Sequence, residues 1–518
     1  MNPIVVTLLV LAAAVGLFVW NRLPVGVVAI SVALALSVTG VLDYEQALAG
    51  FGDPVIVFIA ALFVVSEGLD ATGVTTWAGQ QLVDRAGTNP RKLTLLVMLL
   101  VAVLSALISV NGAVAALLPM VVVLAVRIRQ PASKMLIPLA FGAHAGSLLV
   151  LTGSPVSVLI NEFIAGTGEK PVPFFGFSLV GLPVLVGTVL LVILLGPRLL
   201  PNRTPTAATR DLSTHAMTLV TQYSLEDESA GITRDYGITE VVVPPRSSFI
   251  GEEAFPGMVT ESGELVVVAI QRGGEDLGRT RLQSGDIMLL RGTWRALDAN
   301  TQDPNVLVVD SPQSIRRQAA PLGGPAKSAV AILLGMVALL ATGIVPPAIA
   351  ALIAAVAMVV LRVLTVNQAH RSISWTTLIL VGGMIPLSTA IQVSGAADLI
   401  AEGIVAALGG ASPVLLLLGV SLVTVILGQL ISNTATALIL APIAIAIAAE
   451  TGISPVPLLM AVAVSAAASF LTPVATPANT MVFGPGGYRF GDYWRLGLPL
   501  ALLFVAVATL LVPVFWPF

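Results

Sequence analysis

The chain has 518 residues, 56% of them hydrophobic and only 10% charged, with a formal net charge of −3. That balance is typical of polytopic membrane proteins and argues against a nucleic-acid partner, which calls for an electropositive face. With no cysteine and three histidines, the sequence excludes disulfides, thiolate metal sites and thiol nucleophiles, and it offers little to a metalloenzyme.

The first apolar run, PIVVTLLVLAAAVGLFVW (3–20), lacks a basic leader and a small-residue cleavage site. It is expected to be a membrane helix rather than a cleaved signal. Roughly ten apolar runs near the length needed to cross a bilayer punctuate the chain. LISVNGAVAALLPM (107–120) breaks one apolar segment with a small polar knot. In KMLIPLAFGAHAGSLLVLTGSPVSVLI, an apolar helix is expected to break at Thr152-Gly153-Ser154-Pro155, since glycine permits a bend and proline removes a backbone donor. Residues 201–325 are different. They are charged and rich in turns, and GITEVVVPP, ELVVVAIQR and DIMLLRG read as short strands. A soluble domain is therefore expected between the linkers PNRTPTAATR and SPQSIRRQAAPLGGPAK. A second knot, LISNTATALILAPI (430–443), follows. After it comes LLMAVAVSAAASFLTPVATPANTMVF, with a break expected from Thr472-Pro473 to Thr476-Pro477-Ala478-Asn479.

The knots are copies. Ser432 lies 323 positions after Ser109, and Pro442 lies 323 positions after Pro119. The shift becomes 322 at the breaks, which sets Ser157 opposite Asn479. Such a period divides the membrane part into residues 1–200 and 326–518 and signals the internal duplication common in secondary transporters. Basic residues collect in cytoplasmic connections. Arg85, Arg91 and Lys92 precede the first knot segment, and Arg127, Arg129 and Lys134 follow it, so both its ends are expected inside. The flanks of the second knot, AADLIAEGIVAALGGASP and AAETGISP, carry acids and no bases, so that segment enters from outside. Arg22, Arg198, Arg316, Arg317, Lys327, Arg362, Arg371, Arg489 and Arg495 then fall inside and DYEQALAGFGD outside; Lys170, beside Glu169, is the exception. The expected fold is an α-helical polytopic membrane protein of two inverted repeats. It has ten spans, two re-entrant hairpins and broken helices, a small α/β domain inserted on the cytoplasmic side, and both chain ends external.

Backbone at membrane depth must satisfy its own hydrogen bonds unless it lines a wet cavity. A half-helix that begins at such a turn points free amides and a positive dipole end at the midplane, which suits an anion. Carbonyls ending the preceding half-helix, with Ser, Asn and Thr oxygens, suit a hard cation such as sodium. Proline kinks that merely shape packing are the plainer reading of one break, but four breaks in repeat-related places favour a site. Away from the helix ends the spans hold no Lys or Arg to pair with an anion, so amides, hydroxyls and helix ends would have to neutralise it.

SFLTPVATPANTMVFGPGGYRFGDYWRLGLPL (469–500), together with LISNTATALILAPI, resembles the divalent anion–sodium symporter family of the ion transporter superfamily. Within it, the chain is similar to members carrying a cytoplasmic TrkA-C-like domain between their halves, and the resemblance covers nearly the whole chain. It implies an elevator-type homodimer in the inner membrane that moves a sulfate-like oxyanion or a di- or tricarboxylate with sodium and holds no tightly bound cofactor. The family's Ser-Asn-Thr motif maps onto Ser432-Asn433-Thr434 and its later asparagine onto Asn479, with Thr476 and Pro477 in the same loop. Substrate candidates are Ser109, Asn111, Ser154, Ser432, Asn433, Thr434, Thr476, Pro477 and Asn479. Sodium candidates are Ser109, Asn111, Gly153, Ser157, Ser432, Thr434, Thr472 and Asn479.

The first half departs from this pattern. Ser109-Val110-Asn111 stands where the family has Ser-Asn-Thr, and Ser157 stands where it has asparagine, so the coupling ion could be sodium or a proton. His144, within a helix at membrane depth, is the candidate proton carrier, against a plain structural hydrogen bond between helices. Glu67 and Asp70, one turn apart, read as interfacial, and Gln429 as a brace for the second hairpin. Residues 218–310 resemble a TrkA C-terminal domain, which implies dimerisation or a small regulatory ligand such as a nucleotide. They carry no dinucleotide fingerprint. A cation/proton antiporter regulated by that domain is a competing reading, although no TVGYG-like filter is present. A membrane enzyme would need a nucleophile–base pair, metal cluster or phosphate-binding loop, and none is seen. The partners expected are thus a small anion, the lipid bilayer and a second copy of the chain.

Overall fold

In a computed structural model, the residues described are 2–20, 22–75, 77–78, 81, 89–128, 130–203, 236–260, 262–301, 303–309, 325–407 and 412–518. Arg85, Arg129, Arg316, Arg317 and most of both linkers lie outside them. The chain forms two compact units. One holds residues 1–69, 78–208 and 327–518; the other holds 70–77 and 209–326.

The first unit is helical. Its first half runs α1 (Pro3–Trp20), α2 (Val25–Val38), α3 (Tyr44–Ala49), α4 (Pro54–Ala71), α5 (Pro90–Leu107), α6 (Val110–Arg127), α7 (Leu136–Gly146), α8 (Pro155–Gly166) and α9 (Ser178–Leu199). The second half repeats that order. Numbering past the one helix named below for the described residues of the other unit, it runs α11 (Ala326–Thr342), α12 (Pro347–Val360), α13 (Val366–Ser372), α14 (Trp375–Val393), α15 (Ala396–Ala407), α16 (Pro413–Gly428), α17 (Asn433–Thr451), α18 (Pro455–Ala466), α19 (Pro477–Phe483) and α20 (Tyr493–Ala506). Only α15 has no described counterpart. The duplication reaches the caps. Asp43 with Gln46 opens α3 through a capping box, and Thr365 with Gln368 opens α13 the same way, 322 positions later. Proline at the first helical position starts α5 and α16, and also α8 and α19. There its missing N–H costs nothing and its fixed φ suits the helix.

Among the described residues, seven helices are long and apolar enough to cross a membrane, and seven shorter apolar helices accompany them. The hairpin arms α5 and α17 are among the seven, so helix length does not separate a hairpin arm from a span, and the expected count of ten is not recovered from length. Burial does rank them: α17 is mostly buried and α1 mostly exposed, which places the second hairpin centrally and α1 at the periphery. α5 packs mainly on α7, and α17 on α18 and α14. The halves interlock through the helices that follow each break: α8 packs on α17 and α18, while α19 packs on α6 and α7.

The inserted unit is described by itself. Its five-stranded antiparallel sheet is made of β1 (Tyr236–Val242), β3 (Leu265–Arg272), β4 (Glu275–Leu277), β6 (Ile287–Thr293) and β7 (Leu307–Val308), in the order β4-β3-β6-β1-β7. The short strands β2 (Glu253–Ala254) and β5 (Thr280–Arg281) pair separately. The three strands expected from sequence are β1, β3 and β6. α10 (Trp294–Asn300), capped by the Thr293 hydroxyl, covers the sheet with Trp294 and Leu297 against Val241, Ile270 and Leu290. Asp286 is fully buried and accepts two hydrogen bonds from the Arg272 guanidinium, at 2.7 and 2.8 Å. That partner holds its carboxyl below the ordinary carboxylate range. In the same unit Asp70 accepts a hydrogen bond from the Thr75 hydroxyl at 2.8 Å.

Candidate functional site

Both knots are helix-to-helix turns, as expected. In the first, α5 ends at Leu107 and α6 begins at Val110. Between them the Ser109 hydroxyl accepts the Gly112 amide at 3.1 Å, while Asn111 is exposed. In the second, Ser432 is the N-cap of α17, and its hydroxyl accepts the Ala435 amide at 3.3 Å. Short polar side chains at a turn do this routinely: they satisfy one of the amides a helix start leaves free. Asn433 and Thr434 are half-buried. The second turn is tied inward. Asn433 Oδ1 accepts a hydrogen bond from the Ser469 hydroxyl at 2.5 Å. Gln429 Nε2 donates to Val425 O at 3.0 Å and Ala468 O at 2.9 Å, and its Oε1 accepts the Leu471 amide at 2.9 Å. Gln429 therefore braces the hairpin against the break.

The breaks open earlier than the proline and glycine pattern indicates. α7 stops at Gly146 and α18 at Ala466, with the next helices starting at Pro155 and Pro477. A serine follows each helix end. The Ser147 hydroxyl donates to His144 O at 2.8 Å and so occupies a carbonyl that the next helical turn would need. The Ser469 hydroxyl, 322 positions later, lies 3.3 Å from Ala466 O but gives its one proton to the nearer Asn433 Oδ1. The following segment is extended where it re-enters a helix: Ser154 has φ −147° and ψ 140°, and Thr476 has φ −143° and ψ 153°. Both residues are N-caps. The Ser154 hydroxyl accepts Val156 N at 3.2 Å and the Thr476 hydroxyl accepts Asn479 N at 3.3 Å. Gly153 lies flat on the Ser147 carbonyl, where a Cβ would overlap it. Thr152, in the same turn, donates to Ala106 O at 3.2 Å.

Beyond the caps the halves differ. Asn479 is fully buried, and its Nδ2 donates to Ser469 O at 2.8 Å and Thr472 O at 3.1 Å. Its repeat equivalent Ser157 is equally buried but too short to make such a bridge. Among the described residues nine buried side-chain oxygens have no hydrogen-bond partner, and Ser157 Oγ, Asn479 Oδ1 and Thr472 Oγ1 are three of them. Buried polar atoms normally find one, and Ser157 and Asn479 are a repeat-related pair that does not.

The His144 side chain reaches from the first half into the second. Its Nε2 lies 3.1 Å from Thr476 Oγ1 of the second half, and its ring faces Asn479 and sits edge-on to Phe470. Tyr493 completes this side by donating its hydroxyl to Asn479 O at 2.7 Å. Ser147, Ser469 and Tyr493 are the residues that sequence reading passes over. The shared shift of 322 gives away the two serines, and nothing local gives away Tyr493. No cluster of His, Asp or Glu that could hold a metal occurs among the described residues. The groups collected here are hydroxyls, carboxamides and carbonyls, the ligand set of a hard cation.

Two family models match the chain, one described as a citrate transporter over residues 15–410 and one as the transmembrane region of sodium:sulfate symporters over residues 311–518. The chain is 30% identical, over 98% of both chains, to an Escherichia coli protein named uncharacterized transporter YfbS. It is also 30% identical to the sodium-dependent dicarboxylate transporter SdcS of Staphylococcus saprophyticus, over 28% of each chain. Among solved structures, the YdaH transporter of Alcanivorax borkumensis is similar in fold, with a TM-score of 0.52 at 15% identity over 97% of this chain and 98% of that one. The apolar helices, the duplicated hairpins and breaks, and these matches together make the chain a member of the divalent anion–sodium symporter family, a multi-pass membrane transporter rather than an enzyme.

Proposed function

We propose that the chain moves a small divalent anion, either a sulfate-like oxyanion or a di- or tricarboxylate, by sodium-coupled, elevator-type alternating access. The observation that carries this reading is the set of orphaned buried oxygens, Asn479 Oδ1 and Thr472 Oγ1, on the break that is tied to the second hairpin through Ser469 and Asn433. Sodium is assigned to Ser432, Thr434, Thr472 and Asn479 in the second half, and to Ser109, Asn111, Gly153 and Ser157 in the first. The anion is assigned to Ser432, Asn433, Thr434, Thr476, Pro477 and Asn479, with Ser109, Asn111 and Ser154 from the other half. With no Lys or Arg at this depth, a bound cation is the charge that offsets the anion, so neither ion is comfortable alone. That is a physical reason for coupling.

The same reading gives ten spans and two re-entrant hairpins and places the inserted domain, TrkA-C-like and open to a regulatory ligand, in the cytoplasm. Both chain ends are then external, and two copies of the chain form the scaffold against which the hairpins and broken helices move. The relatives named for sodium, sulfate, citrate and dicarboxylate support the substrate class, and the basic flanks of the first hairpin support the orientation. Reconstituted vesicles should take up labelled sulfate, succinate or citrate when an inward sodium gradient is imposed and not without one. Uptake of none of them would overturn the anion reading, and uptake driven by a proton gradient alone would replace sodium as the coupling ion.

A further inference from the structure

We propose that His144, a first-half residue, is the positioning residue of the second-half break, so that the two inverted halves build that part of the site jointly. The inference rests on the reading of Thr476 and Asn479 as ion contacts. The Thr476 hydroxyl already accepts Asn479 N at 3.3 Å, and the His144 Nε2 contact at 3.1 Å fixes the remaining direction of that hydroxyl. Asn479 spends its Nδ2 on two carbonyls, and its Oδ1, on the side that the His144 ring faces, accepts no hydrogen bond and is the side-chain atom left for a bound ion. Holding Thr476 thereby holds the presentation of Asn479.

His144 is itself held. It is 2% exposed, and the Phe470 ring beside it packs edge-on against Phe141 and Phe504. The helix carrying it, α7, is fastened to the second half at its other end too. The Tyr488 hydroxyl accepts the Ile137 amide at 3.0 Å and donates to Ser133 O at 2.6 Å. The reverse arrangement is missing. The repeat equivalent of His144 is Ala466, which has no side chain to reach across, and the first turn of α18 is capped by its own Ser454. The device is one-sided and serves the break that has kept its asparagine.

The test is the half-saturating concentration (K0.5) of sodium and of the transported anion in vesicles, read separately from the maximal rate. His144→Ala should raise K0.5 about tenfold, the scale of one lost buried hydrogen bond, with a smaller change in maximal rate. Thr476→Val should do the same, and the double variant should be no worse than Thr476→Val alone, because the two side chains act as one unit. His144→Gln, whose amide nitrogen reaches the Nε2 position, should restore K0.5 to within about twofold. His144→Asn, which cannot reach it, should behave like the alanine variant and decides the matter if that variant does not fold. Unchanged K0.5 in the alanine and asparagine variants, or additive effects in the double variant, would overturn the inference. An inert Thr476→Val would instead overturn the site reading beneath it.

Discussion

Asn479 ties the second-half break at four points. Its amide nitrogen closes two carbonyls, its backbone N–H meets the Thr476 cap, and its backbone carbonyl takes the Tyr493 hydroxyl. Asn479→Ala would strand Ser469 O and Thr472 O in a buried segment, and each unsatisfied group costs about 1–3 kcal/mol. Uptake in vesicles should fall at least about tenfold. Asn479→Ser, which copies the first half, should retain more of it than alanine does, because a polar oxygen remains at the position. Equal uptake by the alanine variant and the unaltered protein would remove Asn479 from the site. The residue types were legible in the sequence, because Ser, Asn and Thr stand out in apolar helices. Their partners were not. His144 reads naturally with the Gly153 break nearby in the chain, and only packing brings it to Thr476, 332 positions away.

At the scale of elements, each irregular segment is held by a glycine from the last long helix of its own half. A Cβ on Gly181 in α9 would overlap Leu148 O, and a Cβ on Gly497 in α20 would overlap Phe470 O, the repeat-equivalent carbonyl. Helix backbone can approach that closely only where no side chain intervenes. Gly497→Ala should therefore cost at least about 1–3 kcal/mol of overpacking and appear as a lowered melting temperature and loss of monodisperse protein in detergent. Gly491→Ala, with open space around it, serves as the control. Equal stability of the two would show that the clamp yields. Helices, strands and both hairpin turns could be read in advance from apolar runs, alternation and punctuation. The start of each break could not, since proline and glycine draw attention to Thr152 and Thr472 while the helices already end six residues earlier, at Gly146 and Ala466.

For the whole molecule, duplication is the most legible feature and orientation the least. Helix starts repeat at Pro90 and Pro413, at Val110 and Asn433, and at Pro155 and Pro477. The number of spans escapes a length criterion because hairpin arms are as long as spans. Orientation rests on charge: bases flank the first hairpin, and acids without bases flank the second. A cysteine-free chain makes this directly testable, since any introduced thiol is the sole target of a maleimide. Gln130→Cys, between α6 and α7, should react with a membrane-impermeant maleimide only after the membrane is opened. Glu450→Cys, near the end of α17, should react in intact cells. These positions lie at the far ends of equivalent arms of the two hairpins, so labelling on opposite sides would establish that the halves are inverted. Labelling of both from one side would mean a parallel duplication. The two hairpins would then approach from a single face, and the proposed joint site would lose its geometry.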